Sequence, residues 1–443
     1  MSWRIVRLGD LVENFSVRAK DYGGSEGLDF CGVSNEEGII KTKYAAEDKA
    51  EDYKIIEKGC FAYNPYRVNV GSIGLVTDDF KGLISPAYVV FKPKPNTIIP
   101  ELLFKFLKSD EGLRQIRFYG RGTVRQALRF EDLCNIELSI PDYSQQEELF
   151  KKLINSQEKS NILSTELTNQ LALVKKLRQQ LLQDAVKGKL VPQNPNDEPA
   201  SKLLKKIKAE KQKLIAEGKL KKEKELTAIK TDEIPFEIPE GWVWCRLGEV
   251  VTQLFDGPFG SHLKSIDYTN SGIQVIRLQN LGVMKFKEEK ETFVSQEKYE
   301  SIIQHTVYEG DIIIGSFLAD GVNCVVLPEL KYTAIAKADC FTIRIKHKML
   351  LNTFVMFLLS SSPMFIELSK LLRGMTRLRI NTTQLKNLPI PLPPLAEQHR
   401  IVQKLDELMQ ACDALEASIK ESAAQNEKLL QQVLREALRK SEG

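Results

Sequence analysis

Two stretches of this chain space their apolar residues in steps of four and three. The first runs Leu149, Leu153, Ser156, Ser160, Leu163, Leu167, Gln170, Val174, Leu177 and Leu181; the second runs Ile401, Leu405, Leu408, Cys412, Leu415, Ile419, Ser422, Asn426, Leu429 and Val433. A seam this narrow, sustained for more than four heptads, predicts paired helices, because a helix lying on a domain core normally shows a wider apolar face. The polar interruptions choose the direction. In an antiparallel pair in full register, Ser156 meets Asn426, Ser160 meets Ser422 and Gln170 meets Cys412. A parallel pair would set Ser156 on Leu408 and Val174 on Asn426, burying polar groups beside partners that cannot satisfy them. The seam from Leu149 to Leu181 spans about 48 Å at roughly 1.5 Å per residue, a rigid spacer expected to hold a globular domain at each end about an approximate two-fold axis.

Ahead of each seam the pattern is mixed. Short β-rich runs (Cys60-Phe-Ala-Tyr, Ile73-Gly-Leu-Val, Ala87-Tyr-Val-Val-Phe) are separated by Gly, Asn and Pro turns, and Pro100-Glu-Leu-Leu-Phe-Lys-Phe-Leu has helical spacing. The same succession returns near Gln274-Val-Ile-Arg, Asp311-Ile-Ile-Ile, Cys340-Phe-Thr-Ile-Arg and Leu351 to Leu359. The return is an internal repeat. Leu133 to Pro141, then Gln145-Gln146, Lys175-Lys-Leu177 and Asp184-Ala185, matches Leu385 to Pro393, Glu397-Gln398, Glu427-Lys-Leu429 and Glu436-Ala437 at a constant spacing of 252. Weaker anchors extend it backwards: Trp3 to Gly9 with Trp244 to Gly248, Lys58-Gly59 with Glu309-Gly310, and Gly120 to Arg125 with Leu372 to Arg377. A period this long is a whole domain plus a helix. The expected fold is therefore α+β, with two pseudo-symmetric globular domains separated by two long helices in an antiparallel coiled coil. The boundaries read as a first domain over 1–142, a helix over 143–187, a linker over 188–241, a second domain over 242–394 and a second helix over 395–443. In the linker, Ser201 is expected to cap a lysine-rich helix running to about Leu226.

Composition alters this picture little. Hydrophobic content of 42% and charged content of 28% suit a folded soluble protein, and a net charge of +4 does not by itself call for a polyanion. The seven cysteines are scattered without a C-x-x-C pair, so neither a disulfide framework nor a metal site is expected. No apolar run approaches the roughly 20 residues of a membrane span, which makes the reducing cytoplasm the expected compartment and a membrane partner unexpected.

Catalytic patterns are missing from the sequence. Asn64-Pro65-Tyr66 approaches the N-P-P-[FYW] motif of adenine methyltransferases but lacks its second proline and any accompanying glycine-rich S-adenosylmethionine loop, so it reads as a turn. No G-x-x-x-x-G-K-[ST] appears, and His262, His305, His347 and His399 lie far apart. Binding chemistry is present instead. Arg121, Arg125 and Arg129 in one half, and Arg373, Arg377 and Arg379 in the other, sit in matching glycine-containing segments, and guanidinium groups bond guanine or phosphate. Arg67, Lys264 and Arg277 complete the candidate DNA-binding set.

Four segments stand out as a set: Ile140-Pro141 to Gln146, Gly188-Lys-Leu-Val-Pro-Gln to Leu204, Ile238-Pro-Glu-Gly-Trp242 and Leu392-Pro-Pro-Leu-Ala-Glu-Gln398 to Leu405. Through them the chain resembles the specificity subunits of Type I restriction–modification systems. The resemblance implies two target-recognition domains reading the halves of a bipartite asymmetric DNA sequence. It also implies conserved helices that dock two methyltransferase subunits, which recruit the nuclease–translocase subunits. This chain itself would carry no catalysis and no cofactor, with S-adenosylmethionine, ATP and Mg expected on the partners. One departure is Asp142-Tyr143 where the second half has Pro394-Leu395, which predicts a less rigid first junction. Three alternatives stand beside this reading: the recognition subunit of a two-component methylating nuclease, an adenine methyltransferase using Asn64-Pro-Tyr66, and a coiled-coil scaffold without a nucleic-acid role.

Overall fold

A computed structural model describes residues 3–42, 47–121, 127–289, 291–318, 321–373 and 378–438. They form two compact units, one of residues 1–169 with 419–443 and the other of residues 170–418.

In the first unit, strand Trp3–Arg7 runs antiparallel to Glu137–Pro141, Trp3 opposite Pro141 and Arg7 opposite Glu137. The chain thus leaves the globular part beside the point where it entered. Strands Val12–Asn14, Val89–Pro93, Phe61–Tyr63 and Ile73–Leu75 make an antiparallel sheet in that order. A second sheet orders Gly38–Lys41, Asp29–Ser34, Lys81–Ile84 and Lys54–Glu57, with a parallel pair at its centre. Aromatic residues fill the core between the first sheet and helix Pro100–Lys108. Phe61 stacks on Phe91 with centroids 4.8 Å apart, and the helix buries Leu102, Leu103, Phe106 and Leu107. Proline in the first turn, where its missing N–H costs nothing, starts this helix.

The second unit repeats the plan. Val243–Arg246 pairs with Pro389–Leu392, and Gln253–Phe255, Cys340–Arg344, Ile312–Gly315 and Cys324–Val326 form the antiparallel sheet. The other sheet has five strands, in the order Tyr268–Thr269, Phe293–Val294, Ile273–Ile276, Ala334–Ala336 and Thr306–Val307, again with one parallel pair. This sheet thus has one strand more than its counterpart in the first unit. Residues 188–241, expected as a linker, are folded onto this unit. Ala200, Leu203 and Ile207 are buried in its core, and the Lys211 ammonium donates to the carbonyls of Gly248 at 2.6 Å and Val251 at 3.2 Å. The lysine-rich helix spans Ala200–Ala216 and not Ser201 to Leu226, and it has no side-chain cap. It stops because Gly218 turns left-handed at φ +70°, letting the Gly218 and Lys219 amides reach the carbonyls of Ile215 and Leu214.

The two long helices span Tyr143–Val186 and Leu395–Leu438. They run antiparallel within each unit. In the first, the Asn426 side-chain amide donates to the Ser160 carbonyl and the Ser164 hydroxyl, both at 3.0 Å, while Val433 packs on the cluster holding Leu149 and Leu153. In the second, Arg178 pairs with Asp413 and Glu416, and Leu182 and Ala185 share a core with Ile401 and Leu405. The expected register needs correction. Asn426 lies one to two turns further along the first helix than Ser156, because a backbone carbonyl and an off-seam serine satisfy its amide, an option absent from seam-to-seam matching. Leu163, Leu177, Leu415 and Leu429, expected in the seam, are exposed. A straight helix of 3.6 residues per turn drifts about 20° per heptad against a 3.5-residue pattern. The buried line on the first helix accordingly passes from Leu149, Leu153 and Leu167 through Val174 to Leu182 and Ala185, with Gln170 and Leu181 half-buried. On the second helix Ile401, Leu405, Cys412, Ile419 and Asn426 are buried.

Each helix is fastened to its globular part by a fully buried glutamine. Gln146 accepts from the Ile99 amide at 2.9 Å and donates to the carbonyls of Thr97 (3.1 Å) and Pro141 (3.2 Å). Gln398, 252 residues on, accepts from Leu351 and donates to Pro393, both at 3.1 Å. The first junction, expected to be the looser, is held by one more bond of this kind than the second.

Candidate nucleic-acid interface

In each unit the chain leaves the second helix of a helical pair, passes through a short basic segment whose two ends pair as those of a hairpin do, and returns to the strand that precedes the long helix; residues 122–126 and 374–377 between the paired ends lie outside the described residues. In the first unit the hairpin is closed by reciprocal backbone bonds between Arg121 and Ala127, at 3.0 and 2.8 Å. In the second, Arg373 and Arg379 close it in the same way at 3.1 and 3.0 Å. The residue after each closure ties the hairpin to the loop following a central strand: the Leu128 amide donates to the Pro65 carbonyl at 3.1 Å, and the Ile380 amide to the Ser316 carbonyl at 3.1 Å. Side-chain chemistry differs on this common backbone, since surface residues are not constrained by the frame beneath them.

In the first unit the Arg121 guanidinium is staked to the nearly buried carboxylate of Asp132 at 2.6 Å. Arg67 and Arg129 are exposed and have no ion-pair partner among the described residues; Arg125 lies outside the described residues. Arg117 donates to the Asn69 carbonyl at 3.1 Å, drawing the 64–70 loop to the helix that precedes the hairpin. Tyr66, Val70 and Phe118 are exposed on these same segments. Arg117 and Phe118 were not among the sequence candidates, and Tyr66 was weighed only within Asn64-Pro65-Tyr66; the available signal was an aromatic residue beside an arginine, at Tyr66-Arg67 and Arg117-Phe118, a pairing suited to stacking and phosphate contact. Asn64 is a turn former here: its side-chain oxygen accepts from the Tyr66 amide at 3.0 Å and its carbonyl from Arg67 and Val68.

In the second unit Arg373 is occupied by the carbonyls of Lys370 and Leu372, and Arg379 pairs with Asp339 at 3.3 Å. Arg377 lies outside the described residues. Asp339 also accepts from the Ser316 hydroxyl at 3.1 Å, and its backbone is left-handed at φ +69°. Arg277 stands 5.4 Å from the ring of Tyr268, whose other neighbour is the ammonium of Lys337 at 5.0 Å from the centroid and hydrogen-bonded to the phenol. Burial pushes the Asp256 carboxyl upward, and the neighbouring charge of Asp339 adds to the shift. Lys264 is exposed and begins a turn closed by Asp267. Tyr268, Lys337 and Asp339 were not among the sequence candidates; Tyr268 lies in the edge strand and Lys337 and Asp339 in a turn, in segments that the repeat does not align. Among the described residues no group of three or more His, Cys, Asp or Glu could hold a metal ion, and no helix is long and apolar enough to cross a membrane.

Comparison with known proteins is consistent with this geometry. The family model for the Type I restriction modification DNA specificity domain matches residues 2–173 and again 239–425. The Type I restriction enzyme EcoAI specificity subunit of Escherichia coli is 39% identical over 258 residues, 56% of this chain and 42% of that protein. The EcoEI specificity subunit of the same species is 30% identical over 272 residues, 60% of this chain and 45% of its own. The chain thus spans less than half the length of these two relatives. The crystal structure of the HsdS subunit from Thermoanaerobacter tengcongensis matches 98% of this chain and 96% of its own at a TM-score of 0.60 and 21% identity, which establishes the shared fold.

Proposed function

This chain belongs to the Type I restriction modification DNA specificity family, and from that premise we propose that it is the non-catalytic subunit that reads a bipartite asymmetric target in double-stranded DNA. Each unit contributes one reading head at its basic hairpin, and the length of the paired helices sets the gap between half-sites. The reading rests above all on the repeated hairpin, closed by the same backbone bonds and tied to the same loop in both units, yet carrying different side chains. A common frame with different surfaces reads two different short sequences. The long helices dock two methyltransferase subunits, which bring S-adenosylmethionine and recruit the ATP- and Mg-dependent restriction subunits. Ile162, Leu163, Leu173, Leu177, Leu415 and Leu429, exposed on those helices, support this docking, because apolar helix faces exposed in one chain mark protein interfaces.

The test is the methylated sequence produced by the assembled complex. Arg377→Ala should relax one half of the target and Arg125→Ala the other, each weakening specific binding by about 1–3 kcal/mol if it reads a base. Loss of both halves together in either variant would refute independent heads.

A further inference from the structure

Residues 202–225 hold ten lysines against four glutamates, a surplus of six, whereas the whole chain has a surplus of four; everything outside this segment is therefore net acidic by two. The segment falls between the two family-matched regions, which end at residue 173 and resume at 239, and the first half contains no counterpart to it. Its lysines divide into two groups. Lys206, Lys208 and Lys219 pair with Glu198, Glu249 and Glu217, and Lys211 is bound to backbone carbonyls. Lys202, Lys205, Lys213, Lys221, Lys222 and Lys224 are exposed and have no ion-pair partner among the described residues. Lys202, Lys205 and Lys213 fall on one stripe of the helix, opposite the buried Leu203 and Ile207.

We propose that this stripe and the lysines after it are a second nucleic-acid contact, one that holds the phosphate backbone of duplex DNA without reading bases. This extends the proposed function, on which it rests. Three observations select this partner. The anchored lysines and buried leucine and isoleucine fix the helix to the second unit, so the free ammonium groups stand on a rigid platform. Lysine is a compact point charge suited to phosphate, and no aromatic side chain accompanies it for stacking on bases. Among the exposed large apolar residues none lies between Leu177 and Ile234, so the segment offers no anchor for a protein interface or a lipid surface.

The experiment measures binding of the full chain to two duplexes of equal length, one carrying its methylation target and one without it, across a salt series. Lys202→Gln, Lys205→Gln and Lys213→Gln combined should lower the slope of log affinity against log salt by about 2.7 on both duplexes, at about 0.9 per lost phosphate contact. The preference for the target duplex should stay unchanged. Arginine at the same three positions, which keeps the charge, should restore the slope. Target preference retained with an unaltered slope would overturn this inference alone. No preference for the target in the unaltered chain would overturn the proposed function. Loss of the preference only in the glutamine variant would mean that the stripe reads sequence, and would also overturn the inference.

Discussion

Lys92 of the first unit lies 2.6 Å from Glu57 and 4.0 Å from the ring centroid of Phe15. At the corresponding place in the second unit, Arg344 grips Asp311 at 2.5 Å, donates to the Thr306 carbonyl at 2.8 Å, and lies against the rings of Tyr308 and Phe255 at 4.6 and 5.3 Å. The two cations stand on corresponding strands, each against a carboxylate and an aromatic ring, but the ammonium remains partly wet while the guanidinium fork is largely enclosed. The glutamine fasteners behave differently: Gln146 and Gln398 are the same residue bonded to equivalent backbone atoms. At the glutamines the bonds to the amide and to the proline carbonyl recur in both halves, whereas the side-chain partners of the two cations differ. This is why the halves can share a frame at low sequence similarity.

The largest expected effect lies in the enclosed pair. Arg344→Met strands the buried Asp311 and should destabilise the second unit by about 3–5 kcal/mol, whereas Lys92→Met should cost the first about 1 kcal/mol. Hydrogen exchange resolved by unit separates the two, and equal losses would erase the distinction. Next come the fasteners. Gln146→Ala should cost about 3 kcal/mol and Gln398→Ala about 2, since one carbonyl fewer is left without a donor. Denaturant unfolding checks the order, and a reversal would mean that the first junction is the looser after all.

Two carboxyls, one in each unit, should contribute acid responses of opposite sign. The hydrogen bond from Lys92 holds the Glu57 carboxyl below the usual glutamate range, so its contribution to stability is present above pH of about 4.3 and is lost as the pH falls through the depressed value. Burial raises Glu397, despite the bonds it accepts from Trp242 at 2.9 Å and Gln193 at 2.5 Å. Its protonated form is favoured by folding, so the second unit should lose stability as the pH rises from about 4.3 through the raised value. Exchange rates followed from pH 6 to 4 should show the second unit becoming firmer first, and a common response would contradict the assignment. The smallest effect is at Asn426. Replacement by Leu removes two bonds but leaves Ser164 able to turn to water, so stability should change by no more than about 1 kcal/mol, and amide protection around Ser160 should fall as the register loosens.

Much of this was legible in the sequence. The constant spacing of 252 pointed to Gln146 and Gln398, and the polar positions within the heptads identified antiparallel helices. The register was not legible, because the partner of Asn426 is a backbone carbonyl together with a serine outside the seam. Nor was the equivalence of Lys92 and Arg344, whose carboxylates come from different places, Glu57 from the end of one strand and Asp311 from just before another. The arginine hairpins were legible as a pair of matching segments, but the partners that stake them, Asp132 and Asp339, lie at unrelated distances along the chain. The segment 188–241 reads as a linker because its proline and lysine content hides the few residues, Ala200, Leu203 and Ile207, that bury it.

The division of the chain between units has a consequence for the order of synthesis. The second unit is contiguous, and all of it has been made once residue 418 has been added. The first holds the residues before 170 but also includes residues 419–443, among them Asn426 and the partly buried Val433. At roughly 5–20 residues per second, the first globular part waits on the ribosome while the entire second unit is translated, with the exposed side of Leu149, Leu153 and Ser160 uncovered throughout. Of these two units, the one whose globular part is made earlier is the one completed later.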